Sequence, residues 1–139
     1  MSEAAPVFHL PQAMRDEIID HARAEKPREC CGVIAGRDGV ALELFRTTNA
    51  APGNELYDIE PDELFRLEFE TLPEREMEIV AIYHSHPHSP ARPSSTDISL
   101  GAWETACYLI CSLQDDAHPV INGFYFRDGN VIPVEVVGS

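Results

Sequence analysis

The apolar run Ile79-Val80-Ala81-Ile82-Tyr83 passes directly into His84-Ser85-His86 and is followed by Pro87, Pro90 and Pro93. An unbroken apolar stretch rich in β-branched residues describes a strand buried on both faces, one that lies inside a sheet. Proline donates no ladder hydrogen bond, so the strand ends at His86 and a stiff loop leads away. Side chains alternate along a strand, which puts His84 and His86 on the same face. The fold must therefore place something over that face that can live beside two imidazoles.

The loop supplies it. Ser94-Ser95-Thr96-Asp97 opens the run Ile98-Ser99-Leu100-Gly101-Ala102-Trp103, with a serine as N-cap and Asp97 in the first helical turn. The chain turns back and aims a helix start at the histidines. An aspartate there is ordinarily favoured by the helix dipole alone; its spacing from the histidine pair gives it a second task. A His-x-His pair taken alone is more often a hydrogen-bonded or surface pair. Two imidazoles and a returning carboxylate, however, fill three of a zinc ion's four positions and leave one for water, the catalytic rather than the structural arrangement. The pattern is that of a metallohydrolase.

His84-Ser85-His86, seven residues, Ser94, two residues and Asp97 resemble the signature of the JAMM (MPN-plus) metalloproteases without a departure. The resemblance extends upstream to Arg28-Glu29-Cys30-Cys31-Gly32, where that family carries a glutamate before a Cys-Gly pair, and to Thr48-Asn49-Ala50 and Tyr108-Leu109-Ile110. It is nearest to the bacterial peptidases that release cysteine from the C-terminus of a ubiquitin-like sulfur-carrier protein. By this resemblance His84, His86 and Asp97 hold one zinc ion per chain, Glu29 is the general base and Ser94 steadies the oxyanion. Glu25 competes for the base role but lacks the Glu-Cys-Cys-Gly context. The implied substrate is a ubiquitin-like carrier whose tail lies extended along a sheet edge. The implied reaction cuts after its final Gly-Gly, releasing cysteine within a cysteine-synthesis route. An isopeptidase acting on lysines, a non-catalytic MPN scaffold and a small-molecule zinc amidohydrolase are the alternatives.

Composition narrows the field. The chain has 139 residues, enough for one well-formed core, with 44% hydrophobic and 24% charged residues. Ten basic against 24 acidic residues leave a net charge of −14, the opposite of a nucleic-acid footprint and suited to partners with a basic face. No apolar run is long enough to span a membrane, and Met1 to Pro6 does not read as a secretory signal. Cys30, Cys31, Cys107 and Cys111 form no Cys-x-x-Cys pair; reduced thiols and a cytoplasmic location are expected.

The periodicities predict a helix over Leu10 to Ala24, strands over Cys30 to Ala35 and Val40 to Thr47, and a surface loop over Asn49 to Ile59 with a short strand at Leu56 to Ile59. A second helix is expected over Pro61 to Leu72, a central strand over Glu78 to His86 and a third helix over Thr96 to Trp103. Strands follow over Cys107 to Leu113, Ile121 to Arg127 and Val131 to Val137. Gly36-Arg37-Asp38-Gly39 and Arg127-Asp128-Gly129-Asn130 are the hairpin turns. The expected architecture is one α/β (α+β-like) domain over residues 1–139. Its central mixed, largely antiparallel sheet is flanked by about three helices, in agreement with the cytidine-deaminase-like JAMM/MPN fold. Ser85, on the face away from the ligands, should serve backbone geometry; His9, His21 and His118 read as surface groups, and His88 occupies a position that the signature leaves free.

Overall fold

The computed structural model describes residues 5–101 and 103–138. Seven strands form one sheet: β1 (Val7–Leu10), β2 (Cys31–Arg37), β3 (Val40–Thr47), β4 (Glu78–His86), β5 (Cys107–Ser112), β6 (Val120–Arg127) and β7 (Asn130–Gly138), in the order β1-β7-β6-β5-β4-β2-β3. β1–β7 and β4–β5 are parallel and the other pairings antiparallel, so the sheet is mixed and largely antiparallel as expected. Both Asp-Gly turns form: Asp38 and Gly39 have φ of 52° and 77°, Asp128 and Gly129 of 52° and 76°. These left-handed pairs match the twist of the strands they join.

Parallel neighbours require a crossover, and the one from β4 to β5 carries helix α4 (Ser95–Leu100) back across the end of β4. That crossover brings Asp97 to the histidines. From Ala81 onward β4 divides cleanly between two layers. Ala81 and Tyr83 join Ile18 and Ala22 of α1 (Gln12–Glu25) on one face. Ile82 joins Leu67, Leu72 and Ile98 on the other, the face towards which His84 and His86 point. Gly32, paired with Tyr83, must be glycine: a Cβ there would meet the Tyr83 ring at 2.3 Å.

Four expectations change in detail. Val7–Leu10 is a strand, parallel to β7, and the first helix starts later, at Gln12. The short strand at Leu56 to Ile59 shrinks to a single bridge between Asn49 and Ile59. The second helix is broken into α2 (Pro61–Arg66), a π-helical turn (Leu67–Thr71) and α3 (Leu72–Glu74). The widened turn precedes Pro73, which lacks an N–H and whose ring crowds the carbonyl four residues back. The third helix stops at Leu100 because Gly101 follows, so Trp103 packs beside the core from outside the helix.

Candidate metal centre

β4 delivers both imidazoles at its last turn of pleat, and the α4 N-terminus delivers the carboxylate. Ser94 caps that helix: its Oγ accepts the Asp97 N–H at 3.0 Å, and the Ser94 N–H donates to Asp97 Oδ2 at 2.9 Å. This reciprocal box is a device that contributes about 1 kcal/mol to such a helix, and here it also fixes where Asp97 Oδ2 points. That oxygen lies 3.3 Å from His84 Nε2 and 3.1 Å from His86 Nε2, and the two nitrogens are 3.2 Å apart. All three residues are buried.

The triangle brings a carboxylate oxygen and two imidazole nitrogens face to face. His86 Nδ1 sits 2.8 Å from the Pro90 carbonyl, which only accepts, so Nδ1 carries the proton and Nε2 of the neutral ring presents a lone pair. A carboxylate oxygen and the His86 lone pair at 3.1 Å need a positive centre between them, a shared proton or a metal ion. The edges of 3.1–3.3 Å are close to the roughly 3.3 Å between corners of a tetrahedron whose centre lies about 2.0–2.1 Å from each, the zinc–ligand distance. The donor set fits a divalent ion. The titration shifts agree. Burial raises Asp97, but the facing His84 and His86 outweigh it and hold the carboxyl well below the usual range. Burial lowers His84; it also lowers His86, whose contacts with Asp97 and the Pro90 carbonyl raise it overall.

The loop that carries Pro90 is itself pinned. Ser112 Oγ of β5 donates to the Ser89 carbonyl at 2.6 Å and Asn122 Nδ2 of β6 to the Ala91 carbonyl at 3.2 Å. Three successive carbonyls, of residues 89, 90 and 91, are thus held by side chains of three different strands.

Glu29 lies just before β2, across from the histidines. Ligand atoms of Glu29, His84 and His86 all fall within 4.8 Å of one another, a buried group able to hold or serve a metal ion. Glu29 Oε1 is buried with no hydrogen-bond partner among the described residues. Burial pushes its carboxyl up to about 7, with Asp97 and Glu55 adding to the rise and His86 opposing it. Its main chain is held by Asn49, whose Nδ2 donates to the Glu29 and Leu56 carbonyls at 2.9 Å each. Asn49 Oδ1 accepts from Ala51 N at 2.9 Å and Asp58 N at 3.0 Å, so the amide is fully used. Arg28 fastens the same loop through the carbonyls of Asn49, Ala51 and Gly53. An open cleft of ≈ 960 Å³ leads to the centre, with Glu29, Glu55, His86, His88 and Ser94 on its walls.

Every residue singled out from the sequence for this site thus meets at one place. Two were missed. Tyr57 stacks on His84 with ring centroids 4.1 Å apart and planes at 17°; in the sequence it is an aromatic in an irregular loop and carries no periodic signal. Asn49 stood out only in the Thr48-Asn49-Ala50 resemblance. Ser85 behaves as expected, its Oγ accepting the Cys30 N–H at 2.8 Å on the far face. His21 does not: it is buried, with Nδ1 2.7 Å from the Tyr83 hydroxyl. Its place between Ile18 and Ala22 on the inner stripe of α1 is the reason. The four cysteines are free and buried, and burial raises all their thiols, Cys30 and Cys107 to about 12. No helix among the described residues is long and apolar enough to cross a membrane.

A mixed sheet with a His-x-His strand end, a capped aspartate and a buried glutamate defines the JAMM class of peptidases. Residues 11–123 match the family described as prokaryotic homologs of the JAB domain, and the chain belongs to that family. It is 36% identical over 106 residues to the desampylase of Haloferax volcanii, covering 70% of this chain and 75% of the relative. To the CysO-cysteine peptidase of Mycobacterium tuberculosis it is 32% identical over 124 residues, 86% and 84% of the two chains. A solution structure from Desulfitobacterium hafniense superposes with a TM-score of 0.86 at 28% identity, over 96% of this chain and 93% of the other.

Proposed function

We propose that this chain is a zinc-dependent peptidase cutting the bond after the C-terminal Gly-Gly of a ubiquitin-like sulfur-carrier protein, with cysteine as the released group. The observation that carries the reading is the buried triangle of His84 Nε2, His86 Nε2 and Asp97 Oδ2 with the unpartnered Glu29 Oε1 beside it. His84, His86 and Asp97 would hold the ion. When bound, it supplies a Lewis acid that polarises a carbonyl and lets water ionise near neutrality.

The protein's own groups do the rest. Glu29, buried beside the histidines with Oε1 unpartnered among the described residues, is placed to take a proton from water at Oε1 and return it to the departing amine. Ser94 Oγ accepts the Asp97 N–H, so its hydroxyl proton stays available to a developing oxyanion. β3 is a sheet edge, and its last residue, Thr47, pairs with Cys31, two residues from Glu29. A tail added there gains main-chain hydrogen bonds.

A second reading, removal of the carrier from lysine side chains, has a specific observation in its favour. The acidic side chains on the cleft wall, Glu29 and Glu55, suit a leaving cysteine poorly, since it keeps a free carboxylate beside the scissile nitrogen; a lysine ε-amine brings none. The relatives divide the same way, one named for a cysteine adduct and one a desampylase. Intact-mass analysis of one carrier ending in Gly-Gly-Cys and of the same carrier joined to a lysine ε-amine, each with zinc and with chelator, decides. Zinc-dependent loss of cysteine establishes the first reading, and cleavage of the lysine conjugate alone establishes the second. Cleavage of neither by the zinc-loaded chain refutes both.

A further inference from the structure

We propose that Tyr57 is a positioning residue of the metal centre: its ring, lying flat on His84, sets the plane of that imidazole in place of the hydrogen bond a ligand histidine ordinarily makes. The proposal rests on the metal-site reading above. A ligating histidine usually donates its second ring N–H to a carboxylate or carbonyl, which fixes both tautomer and orientation. His86 follows the rule through Pro90. His84 does not: its Nδ1 is buried and has no partner among the described residues. With nothing at Nδ1, no hydrogen bond fixes the turn of this buried imidazole about its Cβ–Cγ bond, and packing alone must keep Nε2 on the triangle.

The stack supplies the missing constraint. Rings 4.1 Å apart at 17° leave little room for rotation, provided that the tyrosine itself cannot move. It is gripped on both sides: the carbonyl of Leu56 and the N–H of Asp58, its two chain neighbours, are both bonded to the Asn49 side chain. The Asp58 carbonyl accepts from Ala50 N at 2.8 Å, and Ile59 forms a bridge with Asn49. The same amide holds the carbonyl of Glu29, so one side chain sets both the base and the ring that steadies a ligand. Tyr57 also lines a cavity of ≈ 160 Å³ with Ile82, Leu100 and Trp103.

The test is zinc affinity, measured by competition with a chromophoric chelator, and the visible spectrum of the cobalt-substituted protein, for the wild type, Tyr57→Phe and Tyr57→Leu. Phenylalanine keeps the ring, and wild-type affinity and spectrum are expected. Leucine removes it, and zinc should bind about 10–100-fold more weakly, the usual cost of losing a ligand's orienting partner, with altered cobalt bands. Wild-type affinity and bands in Tyr57→Leu would overturn this proposal alone. A wild-type chain that binds neither ion would overturn the metal reading and this proposal together. If the leucine variant fails to fold, the His84 ring protons of the wild type and Tyr57→Phe still decide by NMR. Stacking requires an upfield ring-current shift in both, and unshifted positions would refute it.

Discussion

Asn49 Nδ2 and the Glu29 carbonyl are 2.9 Å apart, a link across 20 residues of sequence that ties Glu29 to the loop opposite it. Asn49→Ala removes this bond together with three others from the same amide and leaves part-buried backbone groups unpaired. A loss of about 2–3 kcal/mol in unfolding free energy follows at roughly 1 kcal/mol per bond, discounted for the exposed members. Turnover should fall further than stability alone accounts for. Denaturant unfolding checks the first point; kcat measured well below the unfolding midpoint checks the second.

Asp97→Asn separates the helix cap from the proposed ligand role. The amide oxygen can still accept the Ser94 N–H, so the helix start should survive, whereas a neutral amide is a poor partner for a divalent ion. Elemental analysis of the purified variant should find the metal gone, with circular dichroism unchanged. One ion per chain in the variant would remove Asp97 from the ligand set.

Glu29→Gln should retain metal and lose roughly 10²–10⁴ in rate, the range for a general acid–base group. The glutamine is of similar size and leaves the Asn49 bond, which uses the main chain, in place. Near-wild-type turnover would exclude Glu29 as the proton carrier.

His21 makes stability depend on pH. Burial, the larger cause, and Arg46 lower its folded-state pKa, opposed by Glu25 and Glu17. The unfolded chain, with an ordinary value of about 6.5, then binds the proton more readily than the folded one. Stability is therefore full above about 6.5 and declines as pH falls from there through the folded pKa. His21→Gln cannot titrate and keeps a group able to meet the Tyr83 hydroxyl. The fall in Tm on acidification across this window should be smaller in the variant, and an unchanged slope would show that His21 stays neutral for other reasons or titrates elsewhere.

The sequence by itself determined the strand that ends at His86, the proline-stiffened return, the Ser94–Asp97 cap and both Asp-Gly hairpins. Each of these is a local matter, settled by period, by missing N–H groups or by left-handed φ. The expectation of a zinc site, with Glu29 as its base, came with them through the resemblance to a spaced signature. Tertiary structure alone decided what those residues meet. Val7–Leu10 is a strand because β7 offers it a free edge, and four residues carry too little period to announce that. His21 is buried because α1 turns it towards Tyr83. Tyr57 reaches His84 because Asn49 closes a loop over 10 residues from Asn49 to Asp58, and the 3.1–3.3 Å triangle exists because a crossover helix returns to the end of the strand it left. Such contacts join positions far apart in the chain, and side-chain hydrogen bonds of this kind leave no periodic trace in the sequence that makes them.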